Sequence, residues 1–141
     1  MSYAVVPLQQ WHLAWLEETG DAEGGMSLLG DEERKHLARM PSYTALHGGG
    51  VIACAGTLPQ WPGRSIAWAY LHKNSGPHMR FITVAVRNHL AMIKGRIEAT
   101  VRCDFSAGHR WMKMLGFMVE TAVLPLYGPE GEAHTAYVRF N

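Results

Sequence analysis

The sequence predicts an α/β (α+β) domain that spans residues 1–141 and carries one mixed β-sheet of about seven strands, flanked by about four helices. Three observations support this fold class. Short runs that are rich in β-branched residues, or in which apolar and polar residues alternate, are typical of strands. They are interspersed with longer stretches whose apolar residues recur at helical spacing. Glycine or proline separates most of these stretches. The 141 residues suffice for one hydrophobic core and leave no room for a second domain.

The first half of the chain is predicted to begin with a strand and two helices and to continue as antiparallel strands. Pro7 ends the first strand, Gly20 ends the first helix, and Asp31 is the expected N-cap of the second. The glycines at 48–50 and the segment 59–63 are typical of hairpin connections. The predicted strands lie at 3–8, 43–47, 51–58 and 65–72, the helices at 9–19 and 32–40, and a loop at 20–30.

The second half is predicted to contain two helices, each followed by strands. Pro77 suits the first turn of a helix. Apolar residues from Ile97 to Cys103 alternate with polar ones, as in a strand with two unlike faces. Ser106 is the expected N-cap of the next helix, and Gly116 stands where a left-handed residue ends it. The predicted helices lie at 77–94 and 106–115, and the strands at 97–103, 118–127 and 133–140.

Composition excludes several classes of protein. Hydrophobic residues make up 48% of the chain and charged residues 18%, which excludes disorder, and no apolar run reaches the roughly 18–20 residues of a membrane span. A net charge of +1 argues against nucleic acid or acidic lipid as a partner. Cys54 and Cys103 stand in apolar runs and are expected to be reduced and buried. Because the N-terminus lacks a signal-peptide pattern, a cytoplasmic location is expected.

The predicted order of elements resembles a known family. A strand, a turn and a helix that ends in Leu115-Gly116-Phe117 are followed by a hairpin, and this resembles the GNAT superfamily of acyl-CoA-dependent N-acetyltransferases. The stretch Gly108-His-Arg-Trp-Met-Lys-Met-Leu-Gly116-Phe117 is similar to the family's fourth helix, which lies near acetyl-CoA. Its Arg-Trp-x-x-x-Leu-Gly-Phe form is similar to GNAT-like proteins of bacteriophages, including the small internal virion protein of short-tailed phages.

The resemblance implies an acetyl-CoA-dependent N-acetyltransferase that transfers an acetyl group to an amine of unknown identity. It also implies a phage or prophage origin, with the host cytoplasm or the virion as the location. The alternative is a non-catalytic GNAT-fold protein of a virion, of its assembly or of a host interaction. The implied ligand is a coenzyme A thioester, whereas a homodimer or a virion or host protein partner stays open. In the family, loops corresponding to 20–30, 59–64 and 127–133 set the choice of acceptor.

The sequence departs from the family pattern in two places, and the first is the loop that binds the pyrophosphate of coenzyme A. The family's pyrophosphate loop usually carries a pair of glycines, and the corresponding stretch 72–78 lacks one of them. Pro77 also removes one N–H donor, although Lys73 adds a positive charge. Residues implied to contact the coenzyme phosphates are Lys73, Asn74, Ser75, Gly76 and His78; those implied for its pantetheine arm are Asp104 and Ser106. Local helix capping is the competing interpretation of Asp104 and Ser106.

The second departure concerns the proton donor. The family's usual tyrosine, four residues before the final glycine, is replaced by Met112, and the asparagine often found eleven residues before it is replaced by Phe105. Candidate catalytic residues are therefore sought elsewhere: His72 as a base, Tyr70 as an acid or an aromatic wall, and Glu98 to activate a water. For each of them a purely structural role is the alternative. No metal site is expected, because the histidines lack ligand spacing.

Overall fold

The structure is a computed structural model that describes residues 2–22 and 29–141. In these ranges it contains seven strands and four α-helices. The strands are β1 (Tyr3–Pro7), β2 (Ser42–His47), β3 (Gly50–Trp61), β4 (Arg64–Leu71), β5 (Arg96–Arg102), β6 (Met118–Leu124) and β7 (His134–Phe140). The helices are α1 (Gln10–Thr19), α2 (Asp31–Arg39), α3 (Met79–Ala91) and α4 (Ser106–Met114), and a 3₁₀ turn, Gly76–His78, leads directly into α3.

The strands form one mixed sheet in the order β1-β2-β3-β4-β5-β7-β6. The β4–β5 pair is parallel, whereas β1–β2, β2–β3, β5–β7 and β6–β7 are antiparallel. This confirms the predicted fold class. The chain divides into two compact units: unit 1 comprises Met1–Leu58 and Ala67–Ala85, and unit 2 comprises Pro59–Ile66 and Val86–Asn141. Of the helices in the described ranges, none has the length and apolar character needed to cross a membrane.

The core of unit 1 is built by α1, α2 and the strands near the N-terminus. It consists of Leu8, Leu13, Leu16, Leu37, Val51 and Cys54, all of them buried. The buried His12 caps α1, because its Nδ1 accepts the Gln9 backbone N–H at 2.9 Å and lies 2.9 Å from the Thr44 hydroxyl. Burial lowers the pKa of His12, so the ring stays neutral in this core.

The core of unit 2 lies between β5, β7 and α4. Ile97 and Val101 are buried and alternate with polar residues along β5, as the sequence predicts. Helix α4 lies close to this strand: a Cβ on Gly108 would stand 2.7 Å from Val101 Cγ1, so only glycine fits there. Gly116 has a φ of +86° and ends the helix in the left-handed conformation, which the sequence also predicts.

Several local predictions are wrong. Strand β3 continues through Pro59 to Trp61, so the connection to β4 is a tighter turn than expected. The N-caps of α2 and α4 are Gly30 and Phe105, and the predicted caps Asp31 and Ser106 are the first residues of their helices. Cys103 is exposed rather than buried, because β5 ends one residue before it.

Candidate functional site

The turn between β4 and α3 contains five of the predicted ligand contacts. It is held in unit 1 by the residues that follow α1: the Lys73 N–H donates to Gly20 O at 2.9 Å, and the Ala22 N–H donates to Leu71 O at 2.7 Å. Between these bonds Asp21 and His72 form an isolated antiparallel bridge. The end of β4 and the start of the 20–30 segment are therefore aligned side by side. Residues 23–28 of that predicted acceptor loop lie outside the described residues.

Most backbone donors of this turn are already used. The Asn74 N–H donates to His72 Nδ1 at 3.0 Å, the Ser75 N–H to His72 O at 3.0 Å, and the His78 N–H to Ser75 O at 2.8 Å. Pro77 has no N–H. Only the Gly76 N–H, at the start of the 3₁₀ turn, donates to no acceptor within 2–22 and 29–141. The turn therefore offers an anion one main-chain donor rather than a ring of them.

Lys73 supplies the positive charge of the turn. Its side chain packs over Gly20, where an added Cβ would lie 2.7 Å from Lys73 Cδ. The residue as a whole is exposed, as are Asn74 and Gly76, whereas Ser75 is buried. Lys73 and the Gly76 N–H are thus the donors in this turn that a solvent-borne anion reaches.

The predicted base His72 is held in one tautomer. Because Nδ1 accepts the Asn74 N–H, the proton of the neutral ring is on Nε2. In this arrangement His72 presents an N–H donor and has no vacant lone pair with which to accept a proton. Tyr70, two residues earlier in β4, is half-buried, with its ring 5.7 Å from that of Trp68, and it packs against the core of unit 1.

The third predicted catalytic residue, Glu98, lies in unit 2 within an ion-pair network. Its carboxylate accepts two bonds from Arg64, from Nε and Nη2 at 2.8 Å each, and one from Arg96 Nε at 2.5 Å. The bonds from Arg64 and then Arg96 hold the pKa of Glu98 at about 2 although partial burial opposes this. Such a carboxylate binds a proton poorly near neutral pH, which disfavours the predicted role in activating a water.

The predicted contacts to the pantetheine arm, Asp104 and Ser106, lie at the start of α4. Both are exposed. Asp104 pairs with Arg102, with Oδ1 lying 3.3 Å from Nε, and so helps to raise the pKa of that guanidinium. Ser106 is the first residue of the helix, and its exposed side chain is accessible to solvent.

Two polar clusters of unit 2 were not predicted. His109 Nε2 lies 2.9 Å from Arg102 O and 3.1 Å from Cys103 O, so Nε2 carries the proton and Nδ1 accepts the Tyr137 hydroxyl at 2.7 Å. These bonds fix α4 to the end of β5. Tyr137 is 28 residues from His109, and the only signal in the sequence is a histidine near the start of a predicted helix.

The second unpredicted cluster lies at the start of β7. His134 Nε2 is 3.5 Å from Glu132 Oε1, the Tyr127 ring centroid is 5.0 Å from the imidazole, and the buried Nδ1 makes no hydrogen bond with the described residues. The Glu-x-His spacing was a weak signal for this pair. Residues 2–22 and 29–141 contain no group of three or more histidine, cysteine or acidic side chains able to hold a metal ion.

Comparison with solved structures shows the same arrangement of elements in acetyltransferases. Ard1 from Thermoplasma volcanium matches with a TM-score of 0.79 and 14% identity over 99% of this chain and 97% of its own. The yncA protein of Salmonella typhimurium, solved with its cofactor acetyl-CoA, has a TM-score of 0.75 and 13% identity over 99% and 94%. A GNAT-family acetyltransferase from Bacillus anthracis has a TM-score of 0.67 and 12% identity over 99% and 95%. This chain has the GNAT fold.

The similarity to these acetyltransferases is a similarity of structure. No protein-family model and no curated protein matches the sequence. Within the GNAT fold, the fourth helix carries Met112 at the position where the resemblance predicts an acid. Met112 is 8% exposed and contributes to the core of unit 2. A thioether has no proton to give, so α4 supplies packing at this position rather than an acid.

Proposed function

We propose that this chain binds acetyl-CoA and transfers its acetyl group to an amine. The observation that carries the proposal is the turn from β4 into α3, where Lys73 and the Gly76 N–H stand at the start of a 13-residue helix within a GNAT fold. The positive end of a helix and a nearby ammonium both favour a bound diphosphate. The side chains of Asn74 and His78 are further proposed phosphate contacts, whereas the buried Ser75 holds the turn through its backbone bonds. Asp104 and Ser106 are the proposed contacts of the pantetheine arm.

The transfer requires three things of the protein. A neutral amine attacks the thioester carbonyl, a donor stabilises the oxyanion that develops, and the departing thiolate gains a proton. His72 is suited to the second task, because its Nε2–H is a donor in the neutral ring. We assign proton delivery to the Tyr70 hydroxyl of β4, which gives its proton to the thiolate and regains one from the nitrogen that has been acetylated. Glu98 remains a structural anion in this proposal, since its pKa of about 2 keeps it charged.

Binding and chemistry are tested separately. Calorimetric titration with acetyl-CoA should show saturable binding that Lys73→Ala weakens about tenfold, the effect of one charge-assisted contact of about 1.4 kcal/mol. His36→Ala, an exposed residue of α2, is the matched control and should bind normally. A thiol-release assay over a panel of amines should then show turnover that falls in His72→Ala and in Tyr70→Phe. Absence of heat and of any thermal shift at millimolar acetyl-CoA would refute the proposal.

A second candidate function is a non-catalytic GNAT-fold protein of phage origin that acts in a virion, in its assembly or on a host protein. Two observations favour it: α4 carries the buried Met112 in place of an acid, and the turn after β4 uses most of its N–H donors internally. This candidate predicts capture of a protein partner with no thiol release for any amine. Turnover that depends on His72 excludes it.

A further inference from the structure

Four aromatic rings of unit 1 come together beside the proposed coenzyme turn. Tyr3 of β1 stacks on Phe81 of α3 with the ring centroids 4.5 Å apart. The imidazoles of His47 and His78 have centroids 4.4 Å apart, and each also contacts the Tyr3 ring, at 4.6 and 5.6 Å. His78 ends the 3₁₀ turn that begins at Gly76, so this imidazole pair stands at the start of α3.

Burial favours the neutral form of His47 when no ligand is bound, because it lowers the pKa of that ring. The Tyr3 hydroxyl lies 2.8 Å from His78 Nδ1 and donates to it while that ring is neutral, which puts the ring proton on Nε2. The ring nitrogens of His47 make no hydrogen bond within the described ranges. Burial first, then His78 and the charge of the amino terminus, lower the pKa of His47. The Tyr3 ring contacts both imidazoles, Phe81 stacks on Tyr3, and no carboxylate of the described residues contributes to the lowered pKa of His47.

An anion at the start of α3 would reverse this preference. A negative charge close to an imidazole stabilises the imidazolium, and the Tyr3 hydroxyl can rotate to accept from a protonated His78 Nδ1. The aromatic ring of Tyr3, which contacts both imidazoles, also tolerates a cation. Because the two rings are 4.4 Å apart, charging one of them disfavours charging the other, so the pair takes up one proton rather than two.

We propose that the His47–His78 pair takes up a proton when the diphosphate of coenzyme A binds at the turn, so that His47 is an additional ligand-binding residue and coenzyme affinity is linked to pH. This inference rests on the proposed function. The sequence singled out His78 alone, because His47 is 31 residues away at the end of β2 and only the fold pairs it with the turn.

Linkage gives the size of the effect. If binding takes up close to one proton, the association constant rises up to about tenfold for each unit that the pH falls while the free pair is neutral. Between pH 8 and pH 6.5 we expect an increase of about five- to tenfold. The trend levels off at lower pH, where the free protein is already protonated.

The test is calorimetric titration with dephospho-coenzyme A in buffers that differ in ionisation enthalpy. This probe keeps the diphosphate of coenzyme A but lacks the 3′-phosphate on the ribose. That phosphate would itself change its protonation in this pH range. The native chain should take up 0.3 to 1 proton at pH 7, as an order-of-magnitude expectation, and His47→Gln should take up less than half of that. The double variant His47→Gln/His78→Gln should take up none, whereas His36→Gln, an exposed histidine of α2, should behave as the native chain does.

The outcomes separate this inference from the proposed function. Binding without proton uptake, or with the same uptake in the double variant, overturns the role of the pair and leaves coenzyme binding intact. Failure of the native chain to bind either dephospho-coenzyme A or acetyl-CoA overturns both. Circular dichroism melts of each variant show whether it is folded, and if the double variant is unfolded, the comparison of His47→Gln with His36→Gln decides.

Discussion

The two units hold their polar side chains in different ways. In unit 1 burial lowers the pKa of both His12 and His47, and Arg34 forms an ion pair with Glu17. In unit 2, β4 and β5 carry a network of ion pairs. Arg64 and Arg96 both bind Glu98, and Arg96 also binds Glu120. Both units have an apolar core, so the units differ in how many of their charged side chains form ion pairs with one another.

The two units therefore change their charge under different conditions. Neutral imidazoles respond between about pH 5 and 7, where a bound anion also changes their charge. A carboxylate held by two guanidinium groups responds only in acid, below its ordinary pKa. A ligand site that must adapt its charge is therefore better placed in unit 1, which is where the turn from β4 into α3 lies.

The largest expected contrast between the units is the reactivity of their cysteines. Cys54 in β3 is fully buried, and burial raises the pKa of its thiol to about 12, so roughly one molecule in 10⁴ carries the thiolate at pH 8. Cys103 is exposed. A thiol reagent should modify Cys103 at least about 10³-fold faster than Cys54. Cys103→Ser is the control, because Cys54 is then the remaining cysteine: if this variant still reacts quickly, the environment assigned to Cys54 is incorrect.

The next contrast tests the apolar core of unit 1. Leu13→Ala should cost about 3 kcal/mol of unfolding free energy, because Leu13 is fully buried among the leucines of that core. The cost should be the same at pH 7 and pH 4, since no charge is removed. Glu18→Ala, on the exposed side of the same helix, should change stability by less than about 0.5 kcal/mol. Denaturant melts measure both variants, and a strong pH dependence in Leu13→Ala would contradict the expectation.

Much of the fold could be predicted from the sequence because its signals are local. The alternation from Ile97 to Val101 and the glycine at 116 identify a strand and a helix end without reference to any other part of the chain. Errors occurred where a distant partner decides the outcome. Pro59 remains in β3, and residues 60 and 61 follow it before the chain turns, although a proline suggested a break.

The candidate site was less predictable for the same reason. The stretch 72–78 is a candidate that the sequence itself suggests, but the bond from the Lys73 N–H to Gly20 O joins residues more than fifty positions apart. Glu98 appeared to be an available carboxylate because its partner Arg64 is 34 residues away. The pairing of His109 with Tyr137 spans 28 residues. Periodicity carries no information on such contacts, and only the sheet register brings them together.

A smaller effect tests the charged network of unit 2. The pKa of Glu98 is about 2 in the folded chain and near 4.5 in the unfolded one, so its stabilising contribution is complete above pH 4.5 and is lost as the pH falls towards 2. Glu98→Gln should therefore cost about 1–2 kcal/mol at pH 7, a range that allows for solvent screening. The cost should shrink by half or more at pH 3. Equal costs at pH 3 and pH 7 would contradict this, with Glu18→Gln as the matched variant.

The smallest effect is the difference between two variants that each remove a hydroxyl group beside a histidine Nδ1. His109 Nδ1 in unit 2 has the Tyr137 hydroxyl as its partner, whereas His12 Nδ1 in unit 1 lies 2.9 Å from both the Thr44 hydroxyl and the Gln9 N–H. Tyr137→Phe leaves a part-buried acceptor unpaired and should cost about 1–2 kcal/mol. Thr44→Val should cost less, because the Gln9 N–H still satisfies His12. Denaturant melts rank the two, and the reverse order would mean that the hydroxyl, rather than the N–H, is the principal donor to His12.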